Sequence, residues 1–483
     1  MHERSSVAQL AAILREDLPR YSEGEKLPSS RILVERHQVS PVTLSRAIGV
    51  LVAEGRVVSR PGVGVFRAGP NRAADRAGDL SWQEVALSAE PGAAPGESGS
   101  RRVRASGVLA TLTVPPPEVI DLNGGYPHPS LQPERPLAAA LARAGRRPGT
   151  WARPPVEGLP DLREWFARDI GGPRGSLTAS DVLITGGGQS ALTTALRSLA
   201  APGAPVLVES PTYPGLLAVA RAAGLRPVPV PVDSDGVRTD LLAESFRLTQ
   251  ARVLVCQPLF QNPTGAVLSP GRRNDVLRIA RAAGAFVVED DFARRLVHAD
   301  APPPPLPLAA DDPDGVVVHV RSLTKVTSPS LRIAALTARG PALERLRATQ
   351  VVDSFFVPRP LQETALELVG SPAWGRHLRS LAAALRDRRE AMVAALLHRV
   401  PGLLGPAPAG GYHLWLRLPD GTDECALAAA ALRAGVAVTP GGPYFPAEAP
   451  APRLRLSYVS AAGPGPIADG VRRLHLACSG TGL

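Results

Sequence analysis

The chain has 483 residues, 44% of them hydrophobic, and a formal net charge of +10. The length predicts two or three domains, and the apolar content is typical of a globular protein rather than a disordered one. We expect a cytoplasmic protein with no membrane partner, because no apolar run could span a bilayer and the N-terminus does not lead into a signal-peptide core. Three scattered cysteines lack metal-ligand spacing and fit reduced thiols, so no metal site is expected.

The first 69 residues are predicted to form three helices and a hairpin. Apolar residues recur at helical spacing over residues 7–18. Ser29-Ser30 can cap a second helix, and Ser40 can cap a third that has Pro41 at its first position. Two short strands then flank Arg60-Pro61-Gly62. Two short helices followed by such a hairpin predict a winged helix-turn-helix, whose second helix enters a major groove of duplex DNA.

The run LPSSR, then VS, a threonine-bearing helix, LxxEG and RxGxG resembles the GntR-type DNA-binding domain. Members of that family often have an arginine where this chain has Pro41, so one contact to DNA is expected to be lost or moved. A small helical interaction module is the alternative. The resemblance implies that five residues contact DNA, namely Arg31, Thr43, Arg46, Arg60 and Gly62.

Residues 70–118 are rich in Gly, Ala, Pro, Ser and Arg. Most of this stretch has no apolar period, which predicts a flexible linker. It would join a DNA-binding domain at 1–69 to a second folded unit at 119–483.

From residue 119 onward, short apolar strands alternate with amphipathic helices, which predicts an α/β domain with a mixed, mostly parallel sheet. We expect large and small subdomains, the small one spanning about 345–483. The glycine turn at 186–188 leads into a helix, a geometry that favours phosphate binding. Three other strands end close to an aromatic, an amide or a carboxylate side chain. These should converge on one crevice, because ligands bind at the carboxyl ends of parallel strands; they are Tyr213, Asn262 and Asp290.

Of the 54 basic residues, only Lys26 and Lys325 are lysines. An ε-amine can lose its proton and condense with an aldehyde, whereas a guanidinium cannot. Lys325 follows Ser322 and Thr324 and precedes Arg332 by seven residues. This pattern indicates a Schiff base to pyridoxal phosphate; a surface lysine is the alternative.

The ESPTYPG, NPTG, EDD and SxTK runs, in this order, resemble the fold type I aminotransferases, in the branch fused behind a GntR domain: the MocR-type regulators. The resemblance covers nearly the whole chain outside the linker. It implies pyridoxal 5′-phosphate as the cofactor and Arg455 as the arginine that grips an amino-acid carboxylate. It implies four contacts to the cofactor's ring: an aldimine at Lys325, Asp290 at the pyridine nitrogen, Asn262 at the phenolic oxygen and Tyr213 stacked on its face. The phosphate would be held by Gly188, Gln189, Ser322, Thr324 and Arg332.

The chain departs from this family at two positions. The family usually has a tyrosine where this chain has Phe292, and the lost hydroxyl puts turnover in doubt. A second family tyrosine precedes the GLPDLR run, where this chain reads Trp151-Ala152-Arg153.

Three functions remain open from the sequence. The first is a homodimeric transcription regulator that binds a double-stranded DNA operator and senses an amino acid or an amine through the aldimine at Lys325. The second is an active class I/II-type aminotransferase with an accessory DNA-binding domain. The third is a DNA-bridging protein whose cofactor site is inactive. The helix-turn-helix and Phe292 favour the first.

Overall fold

The computed structural model of the chain describes residues 2–60, 63–68, 82–83, 105–172 and 175–480. The chain divides into two compact units, Met1–Ser100 and Arg101–Leu483. Within the described ranges, no helix is long and apolar enough to cross a membrane.

The first unit has the predicted three helices and hairpin. The side chains of Ser29 and Ser40 accept hydrogen bonds from the backbone N–H groups of Ile32 and Thr43, so both serine caps are confirmed. Apolar side chains from all three helices and the first strand pack into one core. The elements are α1 His2–Asp17, α2 Ser30–His37, α3 Pro41–Ala53, β1 Val57–Arg60 and β2 Gly64–Arg67, with β1 and β2 antiparallel.

The end of the predicted linker is folded. A helix, α4, spans Ser106–Leu112, and the side chain of Asn123 donates to the carbonyl oxygen of Ala110 at 2.6 Å. This differs from the flexible linker predicted for 70–118, because tertiary contacts stabilise a helix too short to form alone. Residues 70–81 and 84–104 of that stretch lie outside the described residues.

The second unit alternates strands and helices, as predicted. Its strands are β3 Ile120–Asp121, β4 Val182–Thr185, β5 Pro205–Ser210, β6 Arg226–Asp233, β7 Gly236–Val237, β8 Val253–Cys256, β9 Phe286–Asp290, β10 Val317–Ser322, β11 Ala334–Thr337, β12 His413–Arg417, β13 Val436–Ala437, β14 Thr439–Pro440 and β15 Arg453–Ser457. Its helices after α4 are α5 Glu134–Gly145, α6 Pro160–Gly171, α7 Gly188–Leu199, α8 Pro214–Ala222, α9 Thr239–Thr249, α10 Pro270–Ala282, α11 Pro341–Ser354, α12 Arg359–Val369, α13 Pro372–Arg399, α14 Glu424–Arg433 and α15 Pro464–Gly480.

An eight-stranded sheet has the order β4-β11-β10-β9-β8-β5-β6-β7. Strands β10, β9, β8, β5 and β6 pair in parallel, while β11 is antiparallel to both of its neighbours. The mixed, mostly parallel sheet is therefore confirmed. Because β4 runs in the same direction as β10, the carboxyl ends of β4, β5, β8, β9 and β10 all lie at one edge.

A smaller sheet has the order β12-β15-β14, and all of its pairings are antiparallel. Strand β13, which comes just before β14 in the sequence, pairs in parallel with β3, with Val436 opposite Ile120. Residues near 120 therefore pair with a strand of the C-terminal region. The small subdomain predicted to span about 345–483 does not include them.

Candidate functional site

A cavity lies at the edge where the carboxyl ends of the parallel strands meet. The turn after β4 and the segments after β5, β8, β9 and β10 all contribute to its lining. It brings together every residue predicted to hold the cofactor, together with Arg455. Those residues are Gly188, Gln189, Tyr213, Asn262, Asp290, Ser322, Thr324, Lys325 and Arg332.

The amine of Lys325 is held between a carbonyl and an aromatic ring. Its Nζ donates to the carbonyl oxygen of Gly125 at 2.8 Å and lies 4.0 Å from the centroid of the Tyr126 ring. Burial, helped by the positive charge of Arg455, lowers the pKa of Lys325 to about 7. A large share of this amine is thus unprotonated near neutral pH, the state in which it can attack an aldehyde.

Asp290 ends β9 beside this amine. One of its oxygens accepts from Nε2 of Gln257 at 2.7 Å. Burial raises the pKa of Asp290 to about 6 and the neighbouring Asp291 adds to the rise, whereas the bond from Gln257 and the charge of Lys325 oppose it. A cationic group near the carboxylate would stabilise its ionised form.

Gln257 connects Asp290 to Asn262. Its Oε1 accepts from the backbone N–H of Asn262 at 2.9 Å, and its own backbone N–H donates to Glu209 at 3.0 Å. The side-chain Oδ1 of Asn262 is buried and has no hydrogen-bond partner among the residues described. Such an amide is satisfied when a polar ligand occupies the cavity.

The glycine turn after β4 lies against Arg332. Gly187 has φ +96°, and a Cβ on it would lie 2.8 Å from the Arg332 guanidinium carbon. Ser322 accepts from the backbone N–H of Thr324 at 3.1 Å. The hydroxyl of Thr324 is buried, and the described part of the chain offers it no partner. A guanidinium, hydroxyls and the start of α7 together suit an anion such as phosphate.

The Tyr213 ring lies over the backbone of Gly215. A Cβ on Gly215 would lie 2.2 Å from the Tyr213 ring, so only glycine leaves room for this position. The Tyr213 hydroxyl lies 3.4 Å from Oε1 of Gln189, and Nε2 of that glutamine donates to the Gly215 carbonyl at 3.1 Å.

Arg455 is fixed on β15 by several polar contacts. It donates to the backbone oxygen of Asn123 and, at 3.1 Å, to Nε2 of His413. Burial lowers the pKa of His413 well below its ordinary value, so the ring is neutral and can accept this bond. The guanidinium also lies 5.3 Å from the centroid of the Tyr444 ring. Its Nε is buried without a partner in the described ranges, so this N–H is available to a ligand.

Phe292 lines the cavity where the family resemblance leads one to expect a tyrosine. Its ring packs edge-on against Tyr412, with 6.4 Å between the ring centroids. The Tyr412 hydroxyl donates to the Gly125 carbonyl at 2.9 Å. The cavity therefore contains a tyrosine hydroxyl, that of Tyr412, for which the sequence predicts no role.

Other lining residues were also missed. Gln257 directly follows β8, so the strand-end pattern that indicates Asn262 applies to it as well. Tyr126 and Tyr412 do not lie at the ends of the parallel strands, and no pattern in the sequence indicates that they line the cavity. Thr111 and Leu112, at the end of α4, line the cavity although they were assigned to the linker.

The residues present suit pyridoxal phosphate, which the family resemblance implies. The cavity offers one reactive amine, a carboxylate, and an anion cradle at the start of α7. The buried, unpaired side-chain atoms of Asn262 and Thr324 are the independent structural sign that polar ligand atoms belong there. Across the described residues, no group of three or more His, Cys, Asp or Glu side chains is arranged to hold a metal ion.

Beneath Asp290, a buried ionic cluster surrounds Asp291. Asp291 accepts from Nη2 of Arg321 at 2.7 Å and from Nε of Arg294 at 2.9 Å. Burial alone would raise the pKa of Asp291, but the charges of these two arginines outweigh it and hold that pKa below its ordinary value. Arg321 also pairs with Asp169. The carboxylate next to Asp290 in sequence is therefore held ionised.

In the first unit, the residues predicted to contact DNA lie on α2, α3 and β1. Arg31, Arg46 and Arg60 are exposed, and Thr43 is half-buried. Gly62 lies outside the described residues. The Thr43 hydroxyl lies 2.8 Å from Oγ of Ser40, and Arg60 lies 4.8 Å from the centroid of the Phe66 ring.

Comparison with known proteins gives two family matches. The chain matches the aminotransferase class I and II family over residues 117–468, and the gntR family of bacterial regulatory proteins over residues 7–66.

Individual relatives include enzymes and regulators. The 2-aminoadipate transaminase of Thermus thermophilus is 34% identical over 83% of this chain and 98% of its own length. The HTH-type transcriptional regulator TauR of Rhodobacter capsulatus is 29% identical over 94% of this chain and 92% of its own. The crystal structure of the Thermus thermophilus alpha-aminoadipate aminotransferase, complexed with N-(5′-phosphopyridoxyl)-L-leucine, has 33% identity and a TM-score of 0.74, covering 83% of this chain and 99% of that one.

Proposed function

Since the chain belongs to the aminotransferase class I and II family and carries a gntR-family domain ahead of it, we propose that it is a DNA-binding transcriptional regulator that senses an amino acid or an amine. This order of domains is that of the MocR-type regulators, and the family's cofactor is pyridoxal 5′-phosphate. One observation carries the proposal: a complete set of polar groups around Lys325 occurs in the same chain as a winged helix-turn-helix.

We assign the cofactor's contacts to the residues that line the cavity. Lys325 would bond its aldehyde carbon, Asp290 would face the ring nitrogen, Asn262 would face the phenolic oxygen, and Tyr213 would cover the ring. When bound, the cofactor withdraws electrons from an amino compound attached to its aldehyde carbon. Its phosphate would be held at the start of α7 and after β10, by Gly188, Gln189, Ser322, Thr324 and Arg332.

Of the two effector classes in this proposal, an amino acid is favoured over an amine because it also carries a carboxylate. Arg455 supports the carboxylate because it is buried and its orientation is fixed by Asn123 and His413. A guanidinium held in this way binds a carboxylate with little loss of side-chain freedom. Amines without a carboxylate would lose this contact and bind more weakly.

Duplex DNA is the proposed partner of residues 1–69. The exposed Arg31 and Arg46 lie on the two helices of the helix-turn-helix, and Arg60 lies at the end of the first hairpin strand. Guanidinium groups suit both phosphates and the edge of guanine.

We further propose that the protein acts as a homodimer. Several large apolar side chains of the second unit are strongly exposed, among them Trp151 at 84%, Val352 at 81% and Phe355 at 70%. Where exposed apolar side chains form a contiguous patch, they mark an interaction surface. A second copy of the chain would cover these side chains. Proteins with this fold are typically dimers.

The second candidate function is an active aminotransferase. It is favoured by the identity to a transaminase along nearly that enzyme's whole length. Steady formation of a keto acid from an amino acid, at a rate sufficient for metabolism, would support it. A single half-reaction without turnover would instead favour sensing.

The proposal is tested by operator binding with and without each common L-amino acid, for the wild type, Lys325→Arg and Arg455→Ala. The wild type should change its affinity for DNA by about 1–3 kcal/mol with its effector. Lys325→Arg should lose this response, and Arg455→Ala should weaken it for ligands with a carboxylate, with basal DNA affinity nearly intact in both. A response that survives unchanged in both variants would show that the cofactor is not the sensor.

A further inference from the structure

Helix α4 forms part of the cavity wall although it lies in the stretch that leads back to the DNA-binding domain. Thr111 and Leu112, its last two residues, line the cavity together with Leu192. At the other end of α4, Gly107 packs so closely that a Cβ there would lie 3.1 Å from Cβ of Pro443. The helix is therefore seated on the second unit.

The wall that α4 presents is apolar. The hydroxyl of Thr111 donates to the carbonyl oxygen of Val108 at 2.8 Å, so its one proton is used within the helix. Leu112 and Leu192 offer only carbon. A ligand side chain meeting this wall would gain by burying apolar surface and would find no charged partner there.

A continuous hydrogen-bond route joins this wall to Arg455. The guanidinium donates to the backbone oxygen of Asn123, and the side chain of the same Asn123 donates to the carbonyl oxygen of Ala110 at 2.6 Å. Asn123 is buried, so neither bond is readily replaced by water. Any shift of Arg455 on binding a carboxylate therefore changes the residue that anchors the last turn of α4.

We propose that α4 is the specificity wall of the effector site, with Thr111 and Leu112 selecting an amino acid with an apolar side chain. Asn123 acts as a positioning residue that couples occupancy of Arg455 to α4. This inference rests on the proposed function and extends it. It gives the sensor an output on α4, in the stretch of chain that leads back to the DNA-binding domain.

The test uses the full-length chain and three stable probes. N-(5′-phosphopyridoxyl)-L-leucine and its L-alanine counterpart carry the carboxylate, while pyridoxamine 5′-phosphate lacks both carboxylate and side chain. Binding is measured by calorimetry. The wild type should prefer the leucine compound over the alanine compound by about tenfold or more. Leu112→Ala should abolish most of this preference, whereas Leu109→Ala, exposed on the same helix and absent from the cavity lining, should keep it.

Hydrogen exchange of residues 106–112 tests the coupling. In the wild type, the leucine compound should slow exchange in this segment relative to pyridoxamine 5′-phosphate. Asn123→Ala should lose that difference while still binding the compound. Asn123→Asp keeps the size of the side chain and an acceptor oxygen but lacks the N–H that donates to Ala110. It should lose the same difference in exchange, and it serves as a second variant in case Asn123→Ala misfolds.

The outcomes of these tests distinguish the role of α4 in specificity from the proposed function of the whole protein. If the leucine compound binds more tightly than pyridoxamine 5′-phosphate but the variants keep the wild-type preference and exchange, the role of α4 is overturned and the proposed function stands. If the leucine compound gains nothing over pyridoxamine 5′-phosphate in the wild type, the carboxylate role of Arg455 fails and this inference fails with it, while the proposed function is decided separately by the operator-binding test.

Discussion

Lys325 and Tyr412 donate to the same acceptor. The Nζ of Lys325 lies 2.8 Å, and the hydroxyl of Tyr412 2.9 Å, from the carbonyl oxygen of Gly125. A carbonyl has two lone pairs, so both bonds can form together. The free amine therefore has a defined resting position, and the carbonyl keeps one partner when the amine bonds elsewhere.

Covalent binding of the cofactor should depend on Lys325 alone. Lys325→Arg keeps the charge but cannot form an imine, so the purified variant should lack the visible absorption band and resist borohydride trapping. The chain offers a matched control, because Lys26 is its only other lysine. Lys26→Arg should trap the cofactor like the wild type, and a trapped adduct in Lys325→Arg would disprove the assignment.

The rate of covalent cofactor binding should rise with pH through about 7, since burial and Arg455 lower the pKa of Lys325 to that value. Below it the amine is protonated and cannot attack; above it the free amine predominates, so the rate levels off. Stopped-flow absorbance over a pH series measures the midpoint. Arg455→Gln removes a positive neighbour and should move the midpoint upward, whereas the exposed Arg417→Gln should not. A wild-type midpoint near 10, the value of an ordinary lysine, would contradict the lowered pKa.

The core of the site could be predicted because its residues stand in short runs at strand ends. Asn262, Asp290 and Lys325 each follow or end a buried strand, and parallel pairing brings those ends to one edge. The local sequence was therefore sufficient to predict the sheet and most of the residues that line the cavity.

The rest of the site depends on contacts between distant parts of the chain. Gly125 meets Lys325 from 200 residues away and Tyr412 from 287 residues away, and no periodicity records such pairings. Helix α4 was missed for a related reason, because its seven residues are stabilised by Asn123 and Pro443 rather than by their own helix propensity.

Phe292→Tyr should restore a hydroxyl beside the cofactor. A phenol that donates to the cofactor's phenolic oxygen stabilises its anion, so the pKa of the bound cofactor's absorbance change should fall and transaminase turnover should rise. Spectral titration and keto-acid assays measure both. Tyr412→Phe, a deletion of the neighbouring hydroxyl, should not produce either change. An unaltered titration in Phe292→Tyr would mean that the added hydroxyl does not reach the cofactor.

Gly187→Ala should weaken cofactor binding by about ten- to a hundredfold, the loss expected for one charge-assisted hydrogen bond, because its Cβ would push the Arg332 guanidinium away. Gly203→Ala is the control: that glycine also has a positive φ, +84°, but a Cβ there meets nothing within 4 Å. Gly187→Ala should also lose about 1–3 kcal/mol of stability, because φ +96° with ψ 169° is a conformation that essentially only glycine adopts. Gly203→Ala should lose about 1–2 kcal/mol from its positive φ. Equilibrium dialysis and thermal unfolding separate the two effects, and equal cofactor affinity in both variants would refute the role of Arg332.

DNA binding by the full chain should fall by roughly three to five orders of magnitude between about 50 and 200 mM salt, if six to ten phosphates are contacted across a dimer. Arg46→Ala should cost about 1–3 kcal/mol if its side chain reads a base. Arg20→Ala removes the same charge from an exposed position before α2 and should cost less. Fluorescence anisotropy with operator DNA measures both, and equal losses would reduce Arg46 to a general electrostatic role.

Asp290 and Asp291 are neighbours in sequence, yet one lines the cavity while the other lies in the arginine cluster beneath it. Side chains alternate between the two faces of a strand. Asp290, the last residue of β9, and Asp291, which follows it, therefore point to opposite sides. Deleting one residue from that strand would place Asp291 at the cavity position, whereas inserting one would place Asp290 at the position beside the arginines. In either case the aspartate that moves would take on the protonation behaviour of its new surroundings, and the position it left would be filled by a different type of residue. Length within β9 is therefore under tighter constraint than the identity of its apolar residues.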